Sequence, residues 1–429
     1  MATTIHQQPL YGGAGTNPMP VGQKILFTIG NGTVVSNHYN VKFVAELHVS
    51  NLPITISANT LKATFKTTPN NKGRGIFDFQ NFLESYVSSD NLGINQAFLG
   101  GSNSRYKNVV WSNEVPHPIH VIDKLCQNRN SFRYFRIRFT IEGSTTAISP
   151  VITIANTEKD SIEYKFFNGV LHHDNYLTKQ NEDYGYDLNV EKLVTSERQN
   201  SKFLTNAPST QYANKTDYGA MAFLQYVPGT FTFVDFITFK WYDSGGSLLG
   251  TQVLNNSWTN GGSSSGLTNS IGLLNYFGAY PGNLRNWITA FDNDIDDISY
   301  YTIQATANFS AGFASTSKIY TININCPDTK GFESVRLCWL NQWGVWDYYT
   351  FTKKSVRSTS TNRTTYTQTS GTWNDNEFRI DGFKGGRKNF RVNSTERFQI
   401  NTDFVTEEQA RSFEDLVASP EVYMLNGFD

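Results

Sequence analysis

Short segments in which apolar and polar residues alternate recur along the chain. The apolar positions of residues 40–50 are Val41, Phe43, Ala45, Leu47 and Val49. This two-residue period is typical of a β-strand with one buried face. Two alternating runs within residues 230–254 flank the sequence DSGGS at 243–247, which predicts a β-hairpin. The other segments that predict strands are 24–30, 60–68, 131–143, 219–227 and 298–309.

Two segments change to the spacing of a helix. Residues 75–89 place Phe79, Phe82, Leu83 and Tyr86 on one helical face, which predicts a short helix after Asp78.

The second helix is predicted over 406–418. Thr406 suits an N-cap, and the acidic residues that follow it suit the positive end of a helix. Ser419-Pro420 ends the helix, and residues 421–425 predict a strand. If the apolar side is buried, Phe413→Ala should cost roughly 3–5 kcal/mol. That side consists of Val405, Ala410, Phe413, Leu416 and Val417.

Together these elements predict a mainly β protein. We expect successive antiparallel β-sandwich domains with one or two short helices. A chain of 429 residues is too long for one ordinary core, so several domains are expected. Gly, Pro and Asn are frequent in the first 20 residues. Gly and Ser are frequent in residues 259–270, and this composition predicts a flexible loop at 259–270. The expected boundaries are an extended N-terminal arm at 1–20, a first β-sandwich domain at 21–155, a second β-rich domain at 156–317, and a third with the C-terminal helix at 318–429.

The densest aromatic segment is VRLCWLNQWGVWDYYTF, residues 335–351. The residues NQWG lie where a hairpin turn would lie, with Gly344 supplying a positive φ. Trp339 and Trp346 would then be near one another across the turn, and the favoured interpretation is a core hairpin. The alternatives are a carbohydrate platform or a protein interface. The candidate contacts are Trp343 and Trp346, with Trp343 expected to be the more exposed.

Composition and charge narrow the range of functions. Aromatic residues make up 14% of the chain, which excludes intrinsic disorder. The net charge of -1 offers no strong field for nucleic acid or an anionic membrane, and a near-neutral surface favours association. We therefore expect no direct nucleic-acid partner and a homo-oligomer. No apolar run approaches the roughly 20 residues of a membrane span, and the N-terminal residues do not resemble a signal peptide.

The cysteines and histidines give no metal-binding pattern. Cys126, Cys326 and Cys338 are odd in number, so thiols in a reducing cytoplasm are expected rather than a disulfide framework. The adjacent residues His172, His173 and Asp174 would point to opposite faces of a strand. The two histidines of HPIH, residues 117–120, lie between prolines in a predicted turn, where a structural role is favoured.

An acidic segment resembles a calcium loop in part. Asp292, Asp294 and Asp296 have the spacing of the first three ligands. Asp297 stands where the loop needs glycine, and Ile303 stands where it needs glutamate. A solvated acidic turn is favoured, with an irregular cation site as the alternative, and no metal or other cofactor is predicted.

No motif predicts catalysis. The basic, Gly-rich segments 71–75 and 382–391 are predicted loops that lack the P-loop pattern. The serines of 100–104 and 261–266 lie outside any nucleophile elbow. Acid pairs such as Asp347 and Asp375 could serve a glycosidase only at a suitable separation, which the sequence does not give. We predict no catalytic residues and a protein that is not an enzyme.

Six segments are distinctive when they are taken together. Two of them, GIFDFQNFLESYVS and EYKFFNGVL, begin at Gly75 and Glu163. The others are KFLTNAPSTQY at 202–212, DYGAMAFL at 217–224, residues 335–351, and RFQINTDFVTEEQARSFEDLVASPEVYML at 397–425. Together these segments resemble large virion-associated structural proteins of tailed bacteriophages that infect marine or Bacteroidetes hosts.

The resemblance implies a structural part of the virion, in the tail or baseplate, that is assembled in the host cytoplasm with other virion proteins. It carries over no catalytic residue. A neck or capsid-associated position is an alternative. A receptor-binding or carbohydrate-binding module that contacts a host surface glycan is another, and a glycan hydrolase is a third.

Overall fold

The structure is a computed structural model. It describes residues 3–9, 18–89, 92–95, 117–127, 130–170, 202–224, 234–256, 274–309, 312–315, 317–325, 330–380 and 386–425. The predicted metal candidates at 172–174, the serine segments at 100–104 and 261–266, and the predicted flexible loop at 259–270 lie outside these ranges, as does Cys326.

The protein is mainly β, as predicted. In chain order the strands are β1 (Thr4–Gln7), β2 (Met19–Pro20), β3 (Leu26–Gly30), β4 (Tyr39–Ser50), β5 (Leu61–Thr67), β6 (Arg74–Asp78), β7 (Leu92–Asn95), β8 (His117–Pro118), β9 (Leu125–Gln127), β10 (Phe132–Ser144), β11 (Ile152–Thr153), β12 (Lys159–Asp160), β13 (Tyr164–Phe167), β14 (Thr210–Asn214), β15 (Ala220–Leu224), β16 (Phe236–Tyr242), β17 (Leu248–Asn255), β18 (Leu274–Gly278), β19 (Tyr300–Phe309), β20 (Gly312–Ser315), β21 (Tyr320–Asn325), β22 (Val335–Leu340), β23 (Trp346–Phe351), β24 (Val356–Gln368), β25 (Gly386–Gln399) and β26 (Val422–Leu425).

The helices are short. They are α1 (Gly32–Asn37), α2 (Gln80–Glu84), α3 (Pro281–Arg285), α4 (Thr289–Asp294) and α5 (Glu407–Ala418), with a 3-10 helix at Ile119–Val121. The predicted helices after Asp78 and over 406–418 are confirmed by α2 and α5, and the predicted strand after Pro420 is β26. No helix in the described part of the chain is long and apolar enough to cross a bilayer.

The chain forms two compact units. Unit 1 comprises Met1–Cys326, Arg336–Tyr349 and Thr406–Asp429, and unit 2 comprises Pro327–Val335 and Thr350–Val405. This division differs from the three predicted consecutive domains. One reason is that strands on either side of the predicted boundary at 155 share sheets, since β13 pairs with β10, and β18 pairs with β9.

The largest sheet of unit 1 has the order β2-β13-β10-β4-β5, with β11 and β12 also paired to β10. Its centre is the long antiparallel β4–β10 pair, in which Ile137 lies opposite Leu47 and Phe139 opposite Ala45. The aromatic ring of Phe27, from the β1-β3-β6 sheet, packs edge-on against the ring of Tyr164 at 5.6 Å. The alternating apolar residues of the sequence therefore form one face of this core.

Two further sheets of unit 1 have the orders β14-β21-β19-β16-β17, with β20 added to β19, and β15-β18-β9-β7-β8. The predicted hairpin at 243–247 joins β16 to β17, with Gly246 at φ 81°. Not all pairs are antiparallel, because β14 pairs parallel with β21, and β2 pairs parallel with β13. The described parts of the predicted N-terminal arm are β1 and β2, which pair with β3 and β13 of the same chain.

Candidate functional site

The aromatic segment 335–351 forms a hairpin of β22 and β23, and β26 completes its sheet. Asn341 organises the turn, because its side-chain oxygen accepts hydrogen bonds from the backbone N–H groups of Trp343 (2.9 Å) and Val345 (3.4 Å). Gly344 has a φ of 70°, and a Cβ atom there would overlap the carbonyl oxygen of Asn168. The predicted core hairpin and its positive-φ glycine are confirmed.

Trp343 is the more exposed of the two tryptophans, as expected, but both side chains are buried. Trp343 is 9% exposed and Trp346 is 3% exposed. The turn is covered because Val170 N–H donates to the Gln342 carbonyl at 2.6 Å, and the Trp343 indole N–H donates to the Asn206 side-chain oxygen at 3.1 Å. Neither ring presents a face on which a sugar could stack, so the geometry gives no support to the predicted glycan or interface contact.

Arg336, in the first strand of this hairpin, forms a buried ion pair with Asp217. The guanidinium of Arg336 lies 3.2 Å from the Asp217 carboxylate, and both side chains are buried. Arg336 also donates to the Tyr218 carbonyl at 2.7 Å and lies over the rings of Tyr280 and Tyr348, at 4.4 and 5.2 Å. A buried charge needs such partners, and removing one of them would leave the other uncompensated.

Cys338 and His120 form the closest approach to a catalytic pair in the described residues. The Cys338 sulfur lies 4.0 Å from His120 Nε2, and His120 Nδ1 lies 2.9 Å from the Tyr348 hydroxyl. Burial lowers the pKa of His120 to about 4 and raises the pKa of Cys338 to about 12. A nucleophilic cysteine needs a thiolate. Both groups are instead neutral near pH 7, which is the state of structural residues.

Asp347 forms a second buried polar group. It accepts hydrogen bonds from the Thr205 hydroxyl and from the Asn206 backbone N–H, the latter at 3.2 Å. The Asn206 side chain in turn donates to Asp415 on α5. Burial raises the pKa of Asp347 to about 7, against the effect of these hydrogen bonds, and the charge of Asp415 raises it further.

A cavity of about 660 Å³ adjoins this group, between residues 202–209 and α5. Its charged lining has both signs. Ligand pockets of this size are usually mostly apolar, whereas this one is lined by three basic and three acidic side chains. The charged residues are Lys202, Lys318, Arg411, Glu408, Glu414 and Asp415.

The acidic segment 292–297 does not form a calcium loop. Asp292 accepts from Arg285 at 2.6 Å, and Asp296 from Lys215 at 2.7 Å. The indole N–H of Trp241 donates to Asp294 at 2.8 Å. Within the described ranges, no group of three His, Cys, Asp or Glu residues could hold a metal ion. The three aspartates therefore bind side chains of their own unit.

The remaining candidates from the sequence do not form a site either. His120 is buried in the 3-10 helix, consistent with the structural role favoured for HPIH, while the His117 side chain lies outside the described set. Asp347 belongs to unit 1 and Asp375 to unit 2.

The basic segment predicted as a loop at 382–391 is in fact strand from Gly386 onward, because it pairs with β24.

The most exposed feature of the described structure was not found from the sequence. We call β24, β25 and the residues between them the ribbon. All residues of the two strands are exposed except Gln368 and Phe398, which are half-buried. Serine and threonine lie opposite one another at Ser360–Thr395 and Thr361–Ser394. Threonine is enriched in strands, and cross-strand pairs of threonine and serine add modest stability to a two-stranded sheet.

An apolar cluster lies between the two strands, and we call it the tip. Trp373, Phe378 and Ile380 form the tip and are 68%, 55% and 68% exposed. The rings of Trp373 and Phe378 pack edge to face at 5.1 Å. The sequence signal that could have drawn attention to this segment is a tryptophan that directly follows a long Ser/Thr-rich run.

Comparison of the sequence with protein-family models and with curated proteins gives no match.

Proposed function

We propose that this protein is a non-enzymatic structural component of a tailed-phage particle, in the tail or baseplate, that works by oligomeric assembly. The observation that carries the proposal is the ribbon. Two-stranded ribbons are only marginally stable alone in water, and exposed strand edges readily pair with other chains. A 13-residue and a 14-residue strand with both faces exposed favour a protein that is covered by neighbours when it works.

The buried chemistry supports the non-enzymatic part of the proposal. The Cys338–His120 pair is neutral at physiological pH, and Asp292, Asp294 and Asp296 are occupied by partners within unit 1. The virion assignment, with assembly in the host cytoplasm and with other virion proteins as partners, rests on the resemblance of the segments quoted above. The buried thiols of Cys126 and Cys338 suit that compartment.

The test is the composition of purified particles. Mass spectrometry of gradient-purified virions from a host that carries this sequence should find the protein at several copies per particle. Analytical ultracentrifugation of the purified protein should find a concentration-dependent oligomer. A protein that stays monomeric at all concentrations and is missing from the particles would refute the proposal.

A second candidate is a receptor-binding module that uses the tip. The exposed ring of Trp373 provides the stacking surface that the buried Trp343 and Trp346 do not. Binding of host surface polysaccharide that is lost in Trp373→Ala, and kept in Trp343→Phe, would favour this candidate over a purely structural role.

A further inference from the structure

We infer that the ribbon of one copy docks on unit 1 of a second copy of this chain. This inference rests on the proposed function, because it names the partner in the proposed assembly. The contact would be head-to-tail, with a different surface used on each copy, so it could be repeated from one subunit to the next.

Backbone groups of the ribbon support a contact with another chain. In the described residues each of β24 and β25 has one neighbouring strand, namely the other. Each strand therefore has an outer edge whose alternate N–H and C=O groups face away from the pair. The pairing is interrupted only by a register shift between Thr364 and Thr365.

Side chains hold the tip in one conformation. Thr372 N–H donates to the Arg379 carbonyl at 3.0 Å, and Arg379 N–H donates to the Thr372 hydroxyl oxygen at 2.8 Å. The Thr372 hydroxyl donates to the Glu377 carbonyl at 2.7 Å. Gly371, at φ 97°, allows the Phe378 ring to pack directly on its backbone. An exposed aromatic cluster that is already ordered loses little entropy on binding, and tryptophan and arginine are enriched at binding hot spots.

The net charges of the two units, counted from the sequence, favour a second copy as the occupant. Unit 2 contains 11 Lys and Arg against 7 Asp and Glu, a net charge of +4. The whole chain has a net charge of -1, which leaves -5 on unit 1. The paired strands themselves carry six basic residues and one acidic residue, Glu396. A basic ribbon and an acidic unit 1 on the same chain are complementary between copies.

Basic side chains are placed where they can reach a partner. Arg363 and Arg391 lie in exposed stretches of β24 and β25, and Phe390 beside Arg391 is also exposed. Arg357 is different, because it pairs with Glu333 and Glu396 and lies over the Phe398 ring at 4.7 Å. Its guanidinium is therefore already engaged within unit 2, and the docking test should leave this residue unchanged.

The experiment measures self-association of the full chain by sedimentation velocity at a series of protein concentrations. Trp373→Ala/Phe378→Ala should weaken self-association by about tenfold or more, the scale of losing a hot spot. Arg363→Glu/Arg391→Glu should also weaken it, and raising the salt from about 50 to about 500 mM should weaken the wild type. Trp373→Tyr should restore most of the association lost in Trp373→Ala.

A control reverses one basic charge on unit 1 instead of on the ribbon. Lys240→Glu, at an exposed position of β16, makes unit 1 more acidic and should leave association equal or tighter. Circular dichroism should show that every variant keeps the wild-type fold. Cross-linking followed by mass spectrometry should join lysines of unit 2, such as Lys388, to carboxylates of unit 1 in mixed oligomers of isotope-labelled and unlabelled chains.

The outcomes separate this inference from the proposed function. If the protein oligomerises and is found in particles, but the ribbon variants associate like wild type, the inference is wrong and the proposed function stands. If wild type is monomeric and absent from particles, both fail. If the ribbon variants instead lose binding to double-stranded DNA, and self-association is unchanged, the basic ribbon binds nucleic acid and the inference is overturned.

Discussion

Single residues within the hairpin of β22 and β23 decide what it can do. Asn341 and Gly344 shape its turn, and Asp347 joins it to residues 205 and 206. Each of these residues lies close to other buried groups rather than to solvent. The hairpin is therefore part of the core, and protonation of its buried ionisable groups changes the free energy of unfolding.

Asp347 makes stability depend on pH. Its folded-state pKa, about 7, is above the ordinary value of 3.8, so the folded protein holds the proton more tightly than the unfolded chain does. The resulting stabilisation is fully present below about pH 4 and is lost as pH rises through 7. Asp347→Asn mimics the protonated form and should remove a pH dependence on the order of 4 kcal/mol between pH 4 and pH 7.

Urea unfolding of wild type and Asp347→Asn at intervals from pH 5 to pH 8.5 measures this effect. The variant should gain stability relative to wild type as pH rises. A difference between the two proteins that stays constant over this range would contradict the shifted pKa. Protonation of His120 at lower pH destabilises both proteins equally, since its folded pKa is lowered, and so does not affect the comparison.

Gly344→Ala should destabilise unit 1 by about 3 kcal/mol or more, because the new Cβ meets the Asn168 carbonyl in addition to the strained φ. Gly73→Ala, in the same unit, is the control. Gly73 has a φ of 67° and the added Cβ comes no closer than 3.6 Å to another atom, so only the backbone penalty of about 1 kcal/mol applies. Thermal unfolding should rank the two variants in this order, and equal losses would argue against the clash.

At the scale of elements, α5 shows how a periodic pattern can predict a helix and misplace its buried side. Thr406 caps the helix, as predicted, by accepting a hydrogen bond from Gln409 N–H at 3.2 Å. Val417, assigned to the apolar side, is 87% exposed, and the buried residue of the helix is Ser412. Phe413 is half-buried, edge-on to the Tyr349 ring at 4.9 Å.

This placement lowers the cost expected for Phe413→Ala. A half-buried ring that keeps two aromatic contacts, with Tyr349 and Trp339, should be worth about 2 kcal/mol rather than the 3–5 of a fully buried one. Val417→Ala should change stability by less than about 0.5 kcal/mol. Chemical unfolding of both variants tests the assignment, and a larger loss for Val417→Ala would contradict it.

At the scale of the whole molecule, charge and exposure are divided between the two units. Unit 2 is basic and consists largely of the exposed ribbon, whereas unit 1 is acidic and contains most of the buried aromatic residues. The near-zero net charge of the chain conceals this division. The opposite net charges of the two units favour association between copies, and the net charge of the whole chain does not show this difference.

Amide hydrogen exchange of the ribbon should become slower when the protein oligomerises. In dilute monomer the amides of β24 and β25 should exchange quickly, because a two-stranded ribbon opens at little cost. In the oligomer they should become protected, while β10 stays protected in both states because it lies inside the largest sheet. Protection of the ribbon that is equal in monomer and oligomer would show that assembly does not cover it.

The sequence by itself determined the local elements. Period-two runs became β4, β10, β16 and β19, and the turn residues DSGGS and NQWG became hairpin turns, because these signals act between neighbouring residues. Tertiary structure alone decided which strands share a sheet, since pairs such as β9–β18 join residues about 150 positions apart. It also buried Trp343 under residues from two distant segments and left Trp373 exposed, because burial depends on what the rest of the chain brings to a side chain.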